Sequence, residues 1–180
     1  VEALAALGAV DFLMWVVTGI STGLTQGFSI QLSQYYGAKD FENLRKSLAH
    51  SYRLTAFIAA GVLILSQSFA SLVLTGLHTP SNIIGMSLLY LRIIFCGIPA
   101  TAAYNMFASA LRAMGNSKTP LTSMIIASVL NVSLDILFVA GFGWGVAGAA
   151  IATVIAQSFS AVYCFLILRR IDIVHLTRAD

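Results

Sequence analysis

A carboxylate, an amide and a hydroxyl occupy related positions in two neighbouring apolar segments of the sequence. Asn131 and Asp135 are four residues apart, so on a helix they share one face. Thr153 lies in the next apolar run, beyond a glycine-rich turn centred on Gly143. If the two segments fold back on each other at that turn, Thr153 lies at a depth between Asn131 and Asp135. Three oxygen-bearing side chains then converge, and oxygen ligands are those that hard cations prefer.

The composition decides what surrounds these residues. The chain has 180 residues, of which 58% are hydrophobic and 9% are charged, and its mean hydropathy is +0.88. Soluble domains carry about 25% charged residues. The chain is therefore predicted to be an all-α integral membrane protein in contact with the lipid bilayer. An acid retained within a membrane-spanning segment is costly and marks a functional site by default, which singles out Asp135.

The apolar runs predict five transmembrane helices, since each crossing needs about 20 residues. Thr119 is the expected N-cap of the fourth helix, with Pro120 at its first position. A glycine and a proline at Gly97 and Pro99 predict a kink in the long third helix. The predicted helices span approximately residues 8–36, 50–75, 80–114, 120–141 and 146–168.

Three glycines in the first predicted helix, Gly19, Gly23 and Gly27, repeat every four residues. In a bilayer, small residues at this spacing allow two helix backbones to approach closely. We therefore expect the glycine stripe to be a packing surface, with a substrate groove as the alternative.

The basic residues predict the orientation of the helices. The segments 39–53, 112–118 and 169–178 hold nine of the ten Lys and Arg residues, and the turns 76–80 and 141–145 hold none. Because cytoplasmic loops are rich in Lys and Arg, the basic segments are predicted to be cytoplasmic. The net charge of +3 is explained by this topology, so it does not indicate a nucleic-acid partner.

Two residues of the third helix have open interpretations. Tyr90 lies about 15 Å along the helix from Pro80, a depth that matches Asp135. It either lines a cavity beside the acid or simply packs between helices. Arg92 faces a different direction and either pairs with a neighbouring helix or extends along a water-filled cleft.

Enzymatic and metal chemistry find little support in the sequence. The acids are dispersed rather than clustered, and the three histidines are too scattered to hold one metal ion. Cys96 and Cys164 both lie in apolar runs and are interpreted as small core residues. The sequence therefore favours a membrane protein that is not an enzyme.

Five motifs together resemble the N-terminal lobe of the multidrug and toxic compound extrusion (MATE) transporters. The resemblance extends over essentially the whole chain, and the order and spacing of the motifs are more specific than any one of them. The motifs are QYYGAKD at 34–40, YLRI at 90–93 with GIP at 97–99, LRAMGNSKTPL at 111–121, NVSLD at 131–135 and GVAGAAIAT at 145–153.

This resemblance implies a fold of two six-helix lobes, of which the chain would supply helices 2 to 6 of the first lobe. It implies a multi-pass protein of the cell membrane that exports cationic or amphipathic small molecules in exchange for Na⁺ or H⁺, by alternating access. The coupling ion is the only cofactor expected. The cation site is carried over onto Asn131, Asp135 and Thr153, and a cavity tyrosine onto Tyr90.

The sequence also departs from the family pattern. The family's first helix, which supplies a further acid to the cation site, and the second lobe are both absent from the printed residues, so the remaining helices of a longer chain are expected partners. The alternatives are a flippase for lipid-linked precursors from the same superfamily, a non-transporting membrane scaffold, and a membrane-embedded enzyme.

Overall fold

A computed structural model of the chain describes residues 26–76 and 84–171, together with the single positions Gly19 and Gly23. Within these residues all regular secondary structure is helical and no strand occurs. The predicted all-α class is therefore confirmed. The first predicted helix lies largely outside the described residues, and its described part covers 26–37.

Six α-helices and one π-helical segment follow one another in the described part of the chain. Among the described residues, four continuous stretches are long and apolar enough to cross a membrane, namely α2, α3 with α4, α5 with the π segment, and α6. The elements are α1 (26–37), α2 (Phe41–Gly76), α3 (Ile84–Cys96), α4 (Ile98–Ala113), α5 (Lys118–Asp135), the π segment (Ile136–Gly141) and α6 (Gly145–Arg169).

Helix α2 begins earlier than predicted. The sequence placed its start near His50, but the helix starts at Phe41 because Asp40 caps it. The backbone N–H of Asn43 donates to Asp40 Oδ1 over 3.2 Å, and the Asn43 amide donates to Oδ2 over 2.7 Å. These bonds to the charged form lower the pKa of Asp40 from its ordinary value of 3.8. The first basic segment is therefore mostly helical.

The long third span is interrupted at Gly97, where the sequence predicted a kink. Gly97 separates α3 from α4, and Pro99 lies in the first turn of α4. A Cβ at Gly97 would lie only 2.9 Å from Val154 Cγ2 on α6. The absence of a side chain therefore lets the α3–α4 junction approach α6 beside Thr153.

The start of α5 differs from the prediction in its cap. The helix begins at Lys118, and the N–H of Thr119 donates to the side-chain oxygen of Asn116 over 3.1 Å. The expectation that Thr119 is the N-cap is therefore wrong, because Thr119 already lies inside the helix.

Two buried clusters hold the bundle together. One includes Leu48, Met106 and Leu168 and lies where α1, α2, α4 and α6 meet. The order of the antiparallel helices brings 37–41, 113–118 and 169–171 to this same end of the bundle, which we call the basic end. The other cluster, around Leu74 and Leu91, joins α2 to α3.

The structure describes the three glycines of the stripe, Gly19, Gly23 and Gly27, but few of the residues around the first two. A Cβ added at Gly23 or Gly27 would meet no atom within 4 Å. The expectation that this stripe packs against another helix stays a prediction, because most of the first helix lies outside the described residues.

Candidate cation site

The α5–α6 hairpin positions the polar residues that the sequence singled out. Its turn contains Gly143 and Gly145, whose φ angles of 69° and 52° lie in the left-handed region that glycine adopts readily. The rings of Phe138, Phe142 and Trp144 stack beside the turn with centroid separations of 5.2 to 6.0 Å. The turn therefore folds α6 back along α5.

The end of the first hairpin arm is π-helical, and it starts directly after Asp135. The N–H of Phe142 bonds to the carbonyl of Leu137, five residues back, over 3.0 Å. Such π turns are rare and are found frequently at functional sites, because they change the direction of the flanking side chains. Nothing in the apolar sequence of this segment predicted it.

Gly148 allows the π segment to approach α6 closely. A Cβ at this position would lie 2.9 Å from Phe138 Cβ and 3.2 Å from the Phe138 backbone carbonyl carbon. Sequence reasoning missed this role. The available signal was a glycine within an apolar helix, where alanine is the favoured small residue.

Asn131 and Thr153 meet across the hairpin. The Asn131 amide Nδ2 donates to Thr153 Oγ1 over 3.3 Å, and Thr153 Oγ1 donates to the carbonyl of Ala149 over 3.0 Å. Among the described residues, no donor bonds to Asn131 Oδ1. This amide oxygen therefore remains available as a ligand.

Asp135 lies one helical turn from Asn131 on the same face. Its side chain is half-buried, and its Oδ1 atom is buried without a hydrogen-bond partner among the described residues. A buried polar atom without a partner costs free energy, and such an atom in a native structure requires an explanation. A cation or a proton bound at Oδ1 would provide one.

The donor set of the site defines which ions it suits. It combines carboxylate, amide and hydroxyl oxygens, which favour hard cations such as Na⁺, and a carboxylate can also take a proton. No group of three His, Cys, Asp or Glu side chains that could hold a metal ion occurs among the described residues. Binding of a cation by Asn131, Asp135 and Thr153 stays a prediction.

Tyr90 and Arg92 lie on α3. Tyr90 packs, partly buried, against the cluster around Leu74 and Leu91. The side chain of Arg92 is exposed, and its backbone carbonyl accepts a hydrogen bond from Gln67 Nε2 over 2.9 Å. The cavity role of Tyr90 stays a prediction.

The fold and its apolar spans define a multi-pass α-helical membrane protein. The MatE family model matches residues 1–137. The chain belongs to this family, the multidrug and toxic compound extrusion family that the five motifs resemble. The resemblance seen in the sequence is thereby confirmed.

Individual relatives agree with this family assignment. The chain is 32% identical over 172 residues to the probable multidrug resistance protein YoeA of Bacillus subtilis, covering 93% of this chain and 36% of the relative. It is 26% identical to the probable multidrug resistance protein NorM of Thermotoga maritima, covering 94% of this chain and 38% of the relative.

A solved structure shares the fold. A crystal structure of MATE in the bent conformation superimposes with a TM-score of 0.92 at 24% identity, covering 99% of this chain and 40% of that one. The chain therefore spans less than half the length of these relatives.

Proposed function

We propose that this chain is part of a cation-coupled efflux antiporter that exports cationic or amphipathic small molecules across the cell membrane by alternating access. Two relatives are named probable multidrug resistance proteins, which supports the substrate class. The coupling ion is Na⁺ or H⁺. Under this proposal the protein is a secondary active transporter and not an enzyme.

One observation carries the proposal: a carboxylate oxygen of Asp135 is buried in a membrane-spanning segment without a hydrogen-bond partner among the described residues. A permanently structural acid would be expected to bond to a neighbour. An acid that alternates between an ion-bound and an ion-free state must leave its ligand positions open in one of them.

The roles of the three residues follow from their chemistry. Asp135 supplies the charge that an arriving cation neutralises, and Asn131 and Thr153 contribute neutral oxygens from the adjacent turn and the facing helix. Efflux is coupled to the gradient if binding of the cation and binding of the substrate disfavour each other, which is a coupling free energy between two sites.

The test measures efflux of a fluorescent amphipathic cation, ethidium, by the full-length protein in proteoliposomes. A Na⁺ gradient and a pH gradient are imposed separately, and a third sample has neither. We expect one of the two gradients to drive efflux by the wild-type protein. Asp135→Asn keeps the shape and removes the charge, so it should abolish the driven component while the amount of inserted protein stays unchanged.

Ser133→Ala is the matched control, because Ser133 lies on the same helix but is exposed and donates only to the Val129 carbonyl over 2.8 Å. It should transport at the wild-type rate. If Asp135→Asn also exports ethidium at the wild-type rate under the effective gradient, Asp135 is structural and the proposal is wrong.

A further inference from the structure

Two close contacts join the arms of the α5–α6 hairpin on either side of Asp135. On the side of the basic end, Asn131 Nδ2 donates to Thr153 Oγ1 over 3.3 Å. On the side of the turn, Phe138 packs against α6 at Gly148, where an added Cβ would lie 2.9 Å from Phe138 Cβ. Asp135 therefore lies between the two contacts along the first arm.

The two arms cover the distance between these contacts with different numbers of residues. The first arm runs from Asn131 to Phe138, whereas α6 runs only from Gly148 to Thr153, which is two residues fewer. At about 1.5 Å per residue, two regular α-helices would differ in length by about 3 Å over this interval. The π segment reduces the mismatch, because its hydrogen bonds enclose one more residue than those of an α-helix and it therefore rises less per residue.

The π segment begins directly after Asp135 and has little packing of its own. It covers 136–141, and none of its residues is buried. A regular α-helical turn in its place would displace Phe138 by about one position, a rotation of about 100° about the helix axis. One of the two contacts that flank the acid would then be lost.

Gly148 is the residue that permits the π segment to lie where it does. An added Cβ would also lie 3.2 Å from the Phe138 carbonyl carbon and 3.2 Å from Trp144 Cβ. The N–H of Trp144 donates to the Phe138 carbonyl over 2.9 Å, so the turn is tied to the same residue. Backbone and Cβ atoms cannot move aside by rotation of a side chain. A larger residue at Gly148 would therefore shift the π segment itself.

We propose that Gly148 is a positioning residue for the cation site: its contact with Phe138 holds the π segment in place, and the π segment directs the Asp135 carboxylate towards Asn131 and Thr153. The inference rests on the proposed function, because it requires that Asp135 binds the coupling ion. The buried and unpartnered Asp135 Oδ1 fits this arrangement. An acid that the backbone positions from both sides needs no neighbouring side chain to orient it, so its oxygen stays open for the ion.

The first test separates ion affinity from transport capacity. Ethidium efflux by the full-length protein in proteoliposomes is measured over a range of concentrations of the ion that drives the wild type. Gly148→Ala should raise the half-saturating ion concentration about tenfold, because an overpacked contact costs a free energy that corresponds to roughly this factor. The maximum rate per inserted protein should stay unchanged.

Ser123→Ala is the matched control for damage to the hairpin. It removes hydrogen bonds from the same pair of helices, but near the basic end and away from Asp135. It should leave the half-saturating ion concentration at the wild-type value. A purely structural role of Gly148 would lower the amount of inserted protein in both variants and shift the half-saturating concentration in neither.

The second test uses the wild-type protein. If the π segment strengthens ion binding, the bound ion must stabilise the π segment by the same factor, because such coupling is reciprocal. Amide hydrogen exchange of residues 136–142 is measured in nanodiscs with and without saturating ion, relative to residues 122–127 of the same sample. The bound ion should slow the relative exchange of 136–142, and Asp135→Asn should show no such response.

The results distinguish failure of this inference from failure of the proposed function. If Asp135→Asn retains wild-type driven efflux, both are overturned. If driven efflux requires Asp135 but Gly148→Ala keeps the wild-type half-saturating concentration, the inference alone is overturned. Should Gly148→Ala fail to insert into the membrane, exchange of 136–142 that does not respond to the ion in the wild type overturns it.

Discussion

The α5–α6 hairpin contains two polar clusters that differ in how completely their hydrogen bonds are satisfied. Towards the basic end, Ser123, Ser160 and Cys164 are all buried. Ser123 Oγ donates to the Pro120 carbonyl over 2.8 Å and lies 3.3 Å from Cys164 Sγ, and Ser160 Oγ donates to the Ser123 carbonyl over 3.4 Å. This cluster is closed, since every side chain in it has a neighbour.

Towards the turn, the cluster of Asn131, Asp135 and Thr153 is half-buried and incomplete. Asn131 and Thr153 bond to each other, but the buried Asp135 Oδ1 has no partner among the described residues. The same two helices therefore satisfy polar groups in one half of the hairpin and leave an acid unsatisfied in the other. From this difference we expect the first cluster to pack the helices and the second to bind a ligand.

The backbone differs between the two halves as well. Regular α-helix surrounds the serine cluster, whereas the π segment begins directly after Asp135 and is held against α6 through Gly148. No residue of the π segment is buried, so we expect its side chains to change direction with less rearrangement of the packed core.

The largest effect is expected from adding a side chain at Gly148, where the π segment contacts α6. Gly148→Ala adds a Cβ that would lie 2.9 Å from Phe138 Cβ, so the π segment must move away from α6. Overpacking of this kind costs about 1–3 kcal/mol. Gly61→Ala on α2, where an added Cβ meets nothing within 4 Å, is the matched control. Thermal unfolding in detergent should show a lower midpoint for Gly148→Ala alone.

The next effect concerns the neutral ligands of the cation site. Asn131→Ala and Thr153→Val each remove one uncharged oxygen, so each should weaken gradient-driven efflux about fivefold, the equivalent of one hydrogen bond. Both should retain more driven efflux than Asp135→Asn. Efflux is measured in proteoliposomes under the gradient that drives the wild type. Full wild-type efflux rates in both variants would show that neither residue belongs to the cation site.

Removing a hydroxyl from the closed cluster should instead lower stability and leave efflux unchanged. Ser123→Ala removes the bonds to Pro120 and Cys164, which should lower the free energy of unfolding by about 0.5–1 kcal/mol, as is typical of hydrogen bonds between transmembrane helices. Gradient-driven efflux should stay at the wild-type level. A loss of coupling in Ser123→Ala with normal stability would contradict the distinction between the two clusters.

The smallest effect is expected outside both clusters, at the cap of α2. The bonds to Asn43 lower the pKa of Asp40, so its contribution to stability is complete above its ordinary value of 3.8 and is lost as the pH falls through the lowered pKa. Hydrogen exchange at the Asn43 amide should accelerate over that acidic range. Asp40→Ala should exchange faster at neutral pH and show no such dependence.

The fold was more predictable from the sequence than the details that shape the site. Long apolar runs and the glycine-rich turn are local signals, so they indicated the helices and the α5–α6 hairpin. The start of α2 was misplaced because the basic residues after Asp40 were interpreted as a loop, although Asp40 and Asn43 form a cap. Thr119 was misassigned as the cap of α5 because Asn116, three residues earlier, is also a capping residue type. The Asn116 side-chain oxygen accepts a hydrogen bond from the Thr119 N–H.

The remaining features depend on contacts between helices. The π segment consists of ordinary apolar residues, and only its packing against Gly148 distinguishes it from α-helix. Conversely, the glycine spacing at Gly23 and Gly27 predicted a helix contact that the described residues do not contain.

The central claim is that Asp135 binds the coupling ion, and infrared difference spectroscopy of the full-length protein in lipid tests it most directly. Spectra are recorded before and after addition of Na⁺ at constant pH, and across a pH step without Na⁺. The account predicts a carboxyl difference band in one of the two experiments that is absent from Asp135→Asn and altered in position in Asn131→Ala. A carboxyl difference spectrum of Asp135→Asn identical to that of the wild type in both experiments would contradict it.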